Sequence, residues 1–434
     1  MSTMRPFQII LIAVFAVLAL VGLYVFSNFA GFGSSGPQIG TVTIWGTFPQ
    51  KSMDDALNLL KQGSKDYNGV SYKQMPAGTF DTDLADALAS GTGPDLVIID
   101  QEQLLTEQPK LTEIPFSSIP ERTFLDTYVA IDEEYLTQTG TYGIPLTVDP
   151  LVLYYNRSIL SAAGVATPPT TWEMVTGLAP TITKQSGSQA ISVSTIPFGG
   201  YANVTNARAI LSLLLLQAGS PITALGVNGI HAVMSDTSQV SGTTGNAPAA
   251  AAVNFYTQFA DPGRTVYSWN PSLPNSRSAF LAGDLAFYPG FASEAQGLRD
   301  ANPNLNFDLA PIPQPSGTGR MTYGLAYAFA IPKVSGNKSG AYSTALALTG
   351  SSILPTLATE LGQAPATRSM LTAKPDDANA AVYYPEALTA KGWLSPAPGT
   401  VDGIFSGMIT NIITGRQDVQ SALSNADQSL NAAL

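Results

Sequence analysis

The sequence predicts an α/β fold with a parallel sheet, preceded by one N-terminal transmembrane helix. Three observations predict it: an uncharged apolar run near the N-terminus, strand and helix patterns that alternate from residue 41, and ample apolar residues for a core. Hydrophobic residues make up 45% of the 434 residues and charged residues only 12%. This composition excludes a disordered chain, which combines low hydrophobicity with high net charge.

Scarce residue types exclude several kinds of function. The chain has no Cys, which excludes disulfides, thiolate metal sites and cysteine nucleophiles, and its single His excludes a multi-histidine metal centre. The net charge of −11 and the scattered Lys and Arg argue against nucleic-acid binding, which needs basic residues to displace counterions. We therefore predict no metal site and no nucleic-acid partner, and we assign no cofactor and no catalytic residues.

The apolar run at residues 7–26 predicts a membrane-spanning helix. At a rise of about 1.5 Å per residue it reaches about 30 Å, the thickness of the hydrocarbon core. Arg5 places residues 1–6 in the cytoplasm and the rest of the chain outside. Residues 27–40 are rich in Gly and Ser and read as a flexible linker. A cleaved secretory signal is the alternative, and it also exports the remainder of the chain.

The first stretch after the linker has the order strand, helix, strand, helix, strand. Ser52 and Asp55 form a predicted capping box at the first helix, and Gly91 follows the second. Ligands of parallel sheets bind at the carboxyl ends of the strands, here residues 46–50 and 100–102. The predicted strands are 41–45, 70–74 and 96–99, and the predicted helices are 52–63 and 81–90.

The second stretch also mixes strands and helices. Thr170 and Glu173 form a second predicted capping box after two prolines. We find no internal repeat. The remaining predicted elements are a strand at 151–155, a buried helix at 209–217, a helix end with Gly and a strand at 278–289, an apolar segment at 323–331, and two C-terminal helices that Gly415 separates.

Six motifs, in this order along the chain, resemble the sugar-type extracellular solute-binding proteins, the family of maltose-binding protein. Two departures stand out: the family's usual Gly-Lys is Gly283–Asp284 here, and the lipidated Cys of many relatives is missing, which fits a helical anchor. The motifs are ALASGTGPDLVIID (87–100), YGIPLTVDPLVLYYN (142–156), PPTTWE (168–173), AFLAGDLAFYPGFASE (279–294), APIPQP (310–315) and GRQDVQSAL (415–423).

The resemblance implies a two-lobed, type II periplasmic-binding-protein-like fold with hinge crossings between the lobes. Lobe one would comprise 41–148 and 313–350, and lobe two 149–312 and 351–434. The hinges would lie near 144–149 and 311–313. The implied protein is a monomer and not an enzyme. It would capture a carbohydrate (an oligosaccharide) or a similar polar solute and deliver it to the membrane permease of an ABC importer.

Polar and aromatic residues after the predicted strands are candidates for ligand contact. Thr47, Phe48 and Gln50 follow the first strand, and Asp100 and Gln101 follow the third. A sugar site needs aromatic faces and hydrogen-bonding side chains in a mostly dry cleft. The structural alternatives are an ordinary loop, a buried Phe48 ring and a solvated helix start at residues 100–102.

The resemblance adds candidates from later in the chain. Asp149 holds the position of a sugar-contacting carboxylate, and capping of the turn at Pro150 is its structural alternative. For Trp269 and Trp393 the core is the favoured interpretation, and Arg208 is taken as isolated. The other candidates are Tyr288, Phe291 and Glu294 on the face of lobe two, Tyr201 and Asn203 in a Gly-rich loop, and Asp402.

Three other functions stay open from the sequence. A ligand sensor that signals to a membrane partner would use the same residues as a transport receptor. A secreted carbohydrate-active hydrolase would need two suitably spaced carboxylates, and sequence cannot test their spacing. An adhesin would have no small-molecule cleft.

Overall fold

The computed structural model describes residues 39–186, 190–227, 229–236, 248–373, 375 and 377–434. The predicted cytoplasmic segment 1–6, the predicted membrane helix 7–26 and most of the predicted linker 27–40 lie outside these residues. Within the described ranges, no helix is both long and apolar enough to cross a membrane.

Strands and helices alternate as far as residue 332, and the rest is mainly helical. The strands are β1 Val42–Gly46, β2 Val70–Gln74, β3 Leu96–Asp100, β4 Leu111–Thr112, β5 Ile114–Pro115, β6 Gly140–Thr141, β7 Ile144–Asn156, β8 Lys184–Gln185, β9 Ile191–Val193, β10 Thr223–Gly226, β11 Gly229–Ala232, β12 Phe287–Phe291, β13 Phe307–Ala310, β14 Thr322–Pro332, β15 Ala364–Pro365 and β16 Ala390–Lys391. The helices are α1 Gln50–Gly63, α2 Phe80–Ser90, α3 Leu104–Glu107, α4 Glu121–Thr127, α5 Arg157–Ala162, α6 Trp172–Ile182, α7 Ala207–Gln217, α8 Pro248–Thr257, α9 Ser276–Ala282, α10 Glu294–Ala301, α11 Lys338–Leu348, α12 Leu354–Leu361, α13 Arg368–Leu371, α14 Ala380–Thr389, α15 Pro398–Ile413 and α16 Val419–Ala433.

The main sheet confirms the predicted parallel pairing of its N-terminal strands, and its other pairings are antiparallel except for the short parallel pairing of β14 with β16. β1 lies between β2 and β3 and pairs with both in parallel. β14 pairs antiparallel with β3 on one side and with β7 on the other, and β12 completes the path beside β7. The sheet is therefore mixed, with the two longest strands at its centre.

Two helix starts differ from the predicted capping boxes. α1 begins two residues before Ser52, directly after Pro49, and the Ser52 side chain is buried. At α6 the cap is Thr171 rather than Thr170, and its hydroxyl accepts a hydrogen bond from the Met174 amide. Thr171 has extended backbone angles, which aim its side chain at the free amides of the first turn.

The chain folds into two lobes, and its buried apolar residues form two core clusters. A smaller core cluster packs α1, α11 and α12 against β1, β2 and the start of β7. A larger cluster begins on the other residues of β3 and continues along β7 into α7, α8 and the C-terminal helices. Because side chains alternate along a strand, the two clusters share the crossing strands without sharing residues.

Two segments near the predicted lobe boundaries have defined packing partners. The Trp172 amide donates to the Gln314 carbonyl, and the Gln217 side chain donates to the Pro313 carbonyl, so this segment lies against α6 and α7. Leu354 and Leu357 of α12 pack in the smaller cluster, with α1 and β1.

Candidate ligand-binding cleft

The central strands form the floor of a cleft between the lobes. Asp149 of β7 pairs with Leu325 of β14, and Thr147 pairs with Tyr327. Residues two apart on a strand point to the same face, so these four side chains share one side of the sheet. Two cavities open on this side, a first chamber of about 760 Å³ and a second chamber of about 340 Å³.

The first chamber has walls from both lobes. The turn after β1 provides Thr47 and Phe48, and α10 of the second lobe lies opposite. Its lining also includes Asp149, Ser293, Gln296, Arg299, Tyr327, Thr359, Glu360, Gln363, Asp377, Asn379 and Tyr383. A chamber between two lobes can grip a ligand only when the lobes are close together.

Asp149 is the buried carboxylate of the first chamber. Ser293 donates to it twice, from its amide at 3.1 Å and from its hydroxyl at 2.5 Å. Burial raises the pKa of Asp149 to about 7, against the opposing effect of the two Ser293 hydrogen bonds. The group therefore titrates close to neutral pH, and in its ionised form it accepts hydrogen bonds only.

Phe48 and Tyr327 form an aromatic pair at the end of β1. Their ring centroids lie 4.9 Å apart in an edge-on arrangement, and Phe48 is only 5% exposed. The Tyr72 hydroxyl donates to the Phe48 carbonyl at 2.8 Å and fixes the turn. Phe48 is therefore a packed wall residue rather than the exposed stacking surface that its loop position suggested.

The second chamber is organised around Arg208, at the start of α7. Its Nη2 lies 2.6 Å from Oε2 of Glu102, and its Nη1 lies 2.8 Å from Oδ2 of Asp402. The Tyr201 hydroxyl donates to the other oxygen of Asp402 at 2.6 Å. Phe291 and Leu325 supply apolar lining beside this polar network.

The structure brings six of the predicted site residues to the chambers. Thr47, Phe48 and Asp149 line the first chamber. Tyr201, Phe291 and Asp402 line the second. These six come from the turn after β1, from β7, from the Gly-rich loop, from β12 and from α15, so the fold collects them from both lobes.

Three of the other predicted residues hold the ends of strands together. Gln50 exchanges hydrogen bonds with Gln74, each side-chain oxygen accepting from the other residue's amide at 2.9 Å. Asp100 accepts from the Glu102 and Gln103 amides and closes the turn after β3. Gln101 is fully buried and bonds to β14. None of the three lines either chamber, since their side chains are used within the fold.

Tyr288, Glu294 and Asn203 support the second lobe below the cleft. Tyr288 is fully buried, and its hydroxyl donates to Glu294 at 2.6 Å. Glu294 also accepts from the Phe291 amide at 2.9 Å and thereby fixes a chamber residue. Asn203 accepts from Nε1 of Trp269, which is fully buried. The core interpretation of Trp269 is confirmed.

Sequence reasoning missed the residues that organise the second chamber. A solvated helix start was the structural alternative for residues 100–102, but only 3% of Glu102 is exposed. Arg208 was taken as isolated, yet it contacts two carboxylates. Its partners lie 106 and 194 residues away in the chain, so no local sequence pattern predicts these ion pairs.

Comparison with known proteins gives one family and one fold. The model of the bacterial extracellular solute-binding protein family matches residues 52–347. A search of curated protein sequences finds no relative. Among solved structures, the chain is similar to a cyclo/maltodextrin-binding protein complexed with maltotetraose, with a TM-score of 0.72 and 14% identity over 92% of this chain and 98% of that one.

Two further structures show the same fold at low identity. The cyclic alpha-maltosyl-1,6-maltose binding protein from Arthrobacter globiformis has a TM-score of 0.74 and 19% identity, covering 91% of this chain and 98% of its own. The sugar-binding protein MalE from Xanthomonas citri has a TM-score of 0.72 and 17% identity, covering 91% and 97%. The matched family model spans most of the chain, and the two-lobed fold agrees with it, so the protein belongs to the bacterial extracellular solute-binding protein family.

Proposed function

We propose that the protein captures a carbohydrate, an oligosaccharide above all, in the cleft between its lobes and delivers it to the permease of an ABC importer. The observation that carries the proposal is the first chamber, in which the buried carboxylate of Asp149 faces aromatic and polar side chains from both lobes. One of the similar structures is complexed with maltotetraose and another is a cyclic alpha-maltosyl-1,6-maltose binding protein, and their fold matches this chain along its length.

The chemistry of the first chamber suits a neutral, hydroxyl-rich solute. Asp149 and Glu360 offer acceptors, and Arg299 and Gln363 offer donors. Tyr327 and Tyr383 present ring carbons that can cover the apolar C–H faces of a sugar. Hydrogen bonds in such a partly dry cleft are stronger than in water, which favours a ligand that satisfies all of them.

We propose a hinge made of three chain crossings. The first runs along β7 near residues 144–149, as the sequence suggested. The packing of Pro313 and Gln314 on the second lobe favours a return crossing on β14 rather than at 311–313. The packing of α12 on α1 favours a third crossing near 362–367, beside β15.

We propose further that residues 7–26 anchor the protein in the membrane, with the lobes on the extracytoplasmic face. An anchor keeps the receptor near its permease and raises its effective concentration there. A monomer suffices for this role, because one chain supplies both walls of each chamber.

A thermal-shift screen of the full chain in detergent tests the proposal. Maltotetraose, mannobiose and tagatose form the carbohydrate arm, and amino acids form the comparison arm. A ligand at about 100 times its Kd adds about 2.7 kcal/mol to the free energy of unfolding. We expect at least one carbohydrate to raise the melting temperature. Chromatography should then recover that carbohydrate chemically unchanged. Shifts confined to amino acids, or recovery of a cleaved sugar, would contradict the proposal.

A further inference from the structure

An ion pair crosses the cleft beside the second chamber. Glu102 lies in the turn after β3, in the first lobe, and Arg208 lies on α7, in the second lobe. Nη2 of Arg208 is 2.6 Å from Oε2 of Glu102, and Nε donates to Oε1 at 3.3 Å. Two hydrogen bonds to one carboxylate fix both the distance and the angle between the partners.

The Arg208 end of the pair is fastened to the second lobe by other contacts. Nη1 donates to Asp402 at 2.8 Å and to the Pro398 carbonyl at 3.1 Å, both at the start of α15. Tyr201 in turn holds Asp402. The guanidinium therefore stays with the second lobe when the lobes move apart.

The Glu102 end is fastened near the hinge and the first lobe. Its amide donates to Asp100 at 2.9 Å, which ties it to the end of β3. The Tyr323 hydroxyl at the start of β14 donates to Oε1. The side chain is 3% exposed, so its position is set by packing as well as by charge. A hinge opening must therefore break the pair, because neither end can follow the other.

We propose that the Glu102–Arg208 pair is a latch that holds the lobes together before ligand arrives and so sets the affinity and the rate of capture. The proposal rests on the hinge closure proposed above. A ligand binds with an apparent affinity that falls with the fraction of protein in the closed, binding-competent form. The latch raises that fraction, and it also slows entry, because the cleft has to open before a ligand can pass.

Arg208 is thus a positioning residue, and its behaviour differs from that of a ligand contact. Loss of a ligand contact weakens binding and leaves the shape of the free protein unchanged. Loss of the latch opens the free protein, weakens binding and speeds association. The ligand-free shape therefore separates the two roles.

The test measures the distance between the lobes without ligand in the full chain. The sequence has no Cys, so Asn58→Cys on α1 and Asp300→Cys on α10 introduce the only two labelling sites for spin labels. Both positions are exposed. Pulsed electron paramagnetic resonance then measures the distance between the labels in the parent chain, in Arg208→Met and in Glu102→Gln. The Gln side chain has the size of Glu and keeps an oxygen that can accept from the Tyr323 hydroxyl.

We expect a single short distance between the labels in the parent chain. In both variants, the fraction of molecules with a longer distance should increase at least fivefold. Arg264→Met is the matched control, because Arg264 pairs with Asp261 within the second lobe. An unchanged distance in both variants, or a parent chain already at the longer distance, would overturn the latch. The measurement uses no ligand, so a failure of carbohydrate binding would appear in the thermal-shift screen and not here.

Discussion

Gln101 and Ala326 are joined across the edge of the hinge: the Ala326 amide donates to Oε1 of Gln101 at 2.6 Å. The same side chain donates from Nε2 to the Gly324 carbonyl at 3.0 Å. The backbone pairing of β3 with β14 ends at Asp100 and Tyr327. Beyond this pair, the side-chain amide of Gln101 takes the place of a backbone group and bonds to β14. The first lobe is thereby tied to the returning hinge strand beyond the end of β3.

Gln101→Leu should lower the free energy of unfolding by about 2–4 kcal/mol. The change leaves one buried amide and one buried carbonyl of β14 without partners, and each unpaired group costs about 1–3 kcal/mol. Urea unfolding followed by circular dichroism measures the difference. Gln420→Leu, on the exposed face of α16, is the matched control and should change stability by less than about 0.5 kcal/mol.

Asp149→Asn should remove most of the pH dependence of carbohydrate binding. Because the pKa of Asp149 is raised to about 7, ionisation of the wild-type carboxyl is incomplete at pH 6 and largely complete at pH 8. If sugar hydroxyls donate to the carboxylate, affinity rises through this interval, by up to about tenfold. Isothermal titration with the best carbohydrate from the screen measures it.

Two results bear on the Asp149 assignment. Asp284→Asn, at an exposed position after α9, is the control and should keep the wild-type profile. If the Asp149→Asn variant binds as tightly as the parent at pH 8, this carboxylate does not contact the ligand.

The sequence predicted the local elements well because their patterns are local. β2 has the predicted bounds, and α2 ends at Ser90 before Gly91, whose φ of 73° is the left-handed angle typical of a helix end. The apolar segment at 323–331 was recognised, and it is β14. Its pairing with β7 depends on residues about 175 positions apart, as in Gly324 with Pro150, which periodicity does not encode.

Part of the candidate site could be predicted from the sequence because it lies at strand ends. Thr47 and Asp149 directly follow or continue strands, and both line the first chamber. At the end of β3 the sequence pointed to Asp100 and Gln101, whereas the turn directs Glu102 to the cleft. Strand ends can be located from sequence, but the side chain that faces the cleft is decided by the turn geometry.

Gly143→Ala should destabilise the protein by about 1–3 kcal/mol. A Cβ at this position, just before β7, would lie 2.7 Å from the Ala328 Cβ and 2.7 Å from Cδ1 of the Tyr135 ring. Both neighbours are buried, so β7 or β14 would have to shift to relieve the clash. Thermal unfolding of the variant measures the loss.

Gly177 is the control for this measurement, because the space around it is open. Gly177 lies on the exposed side of α6, and an added Cβ would meet nothing within 4 Å. Gly177→Ala should therefore stabilise the protein by about 0.5–1 kcal/mol, because Ala loses less backbone entropy in a helix. Equal effects of the two substitutions would mean that the close packing around Gly143 does not require a glycine at this position.

Asp132→Asn should stabilise the protein at high pH and not at low pH. Asp132 is fully buried, and neither carboxyl oxygen has a hydrogen-bond partner among the described residues. Burial raises the pKa of Asp132 well above its usual value, although the charge of Arg368 opposes the shift. The folded state therefore holds a proton that the unfolded state releases above about pH 4.

The sign of the pH effect follows from this proton. As pH rises above about 4, ionisation stabilises the unfolded state first, so the wild type loses stability until the folded pKa is passed. Asn does not titrate, so Asp132→Asn should match the wild type near pH 4 and exceed it by about 1–3 kcal/mol at pH 8. Urea unfolding at both pH values measures the gap, with the exposed Asp86→Asn as control. A gap that is equal at the two pH values would show that folding does not raise the pKa of Asp132.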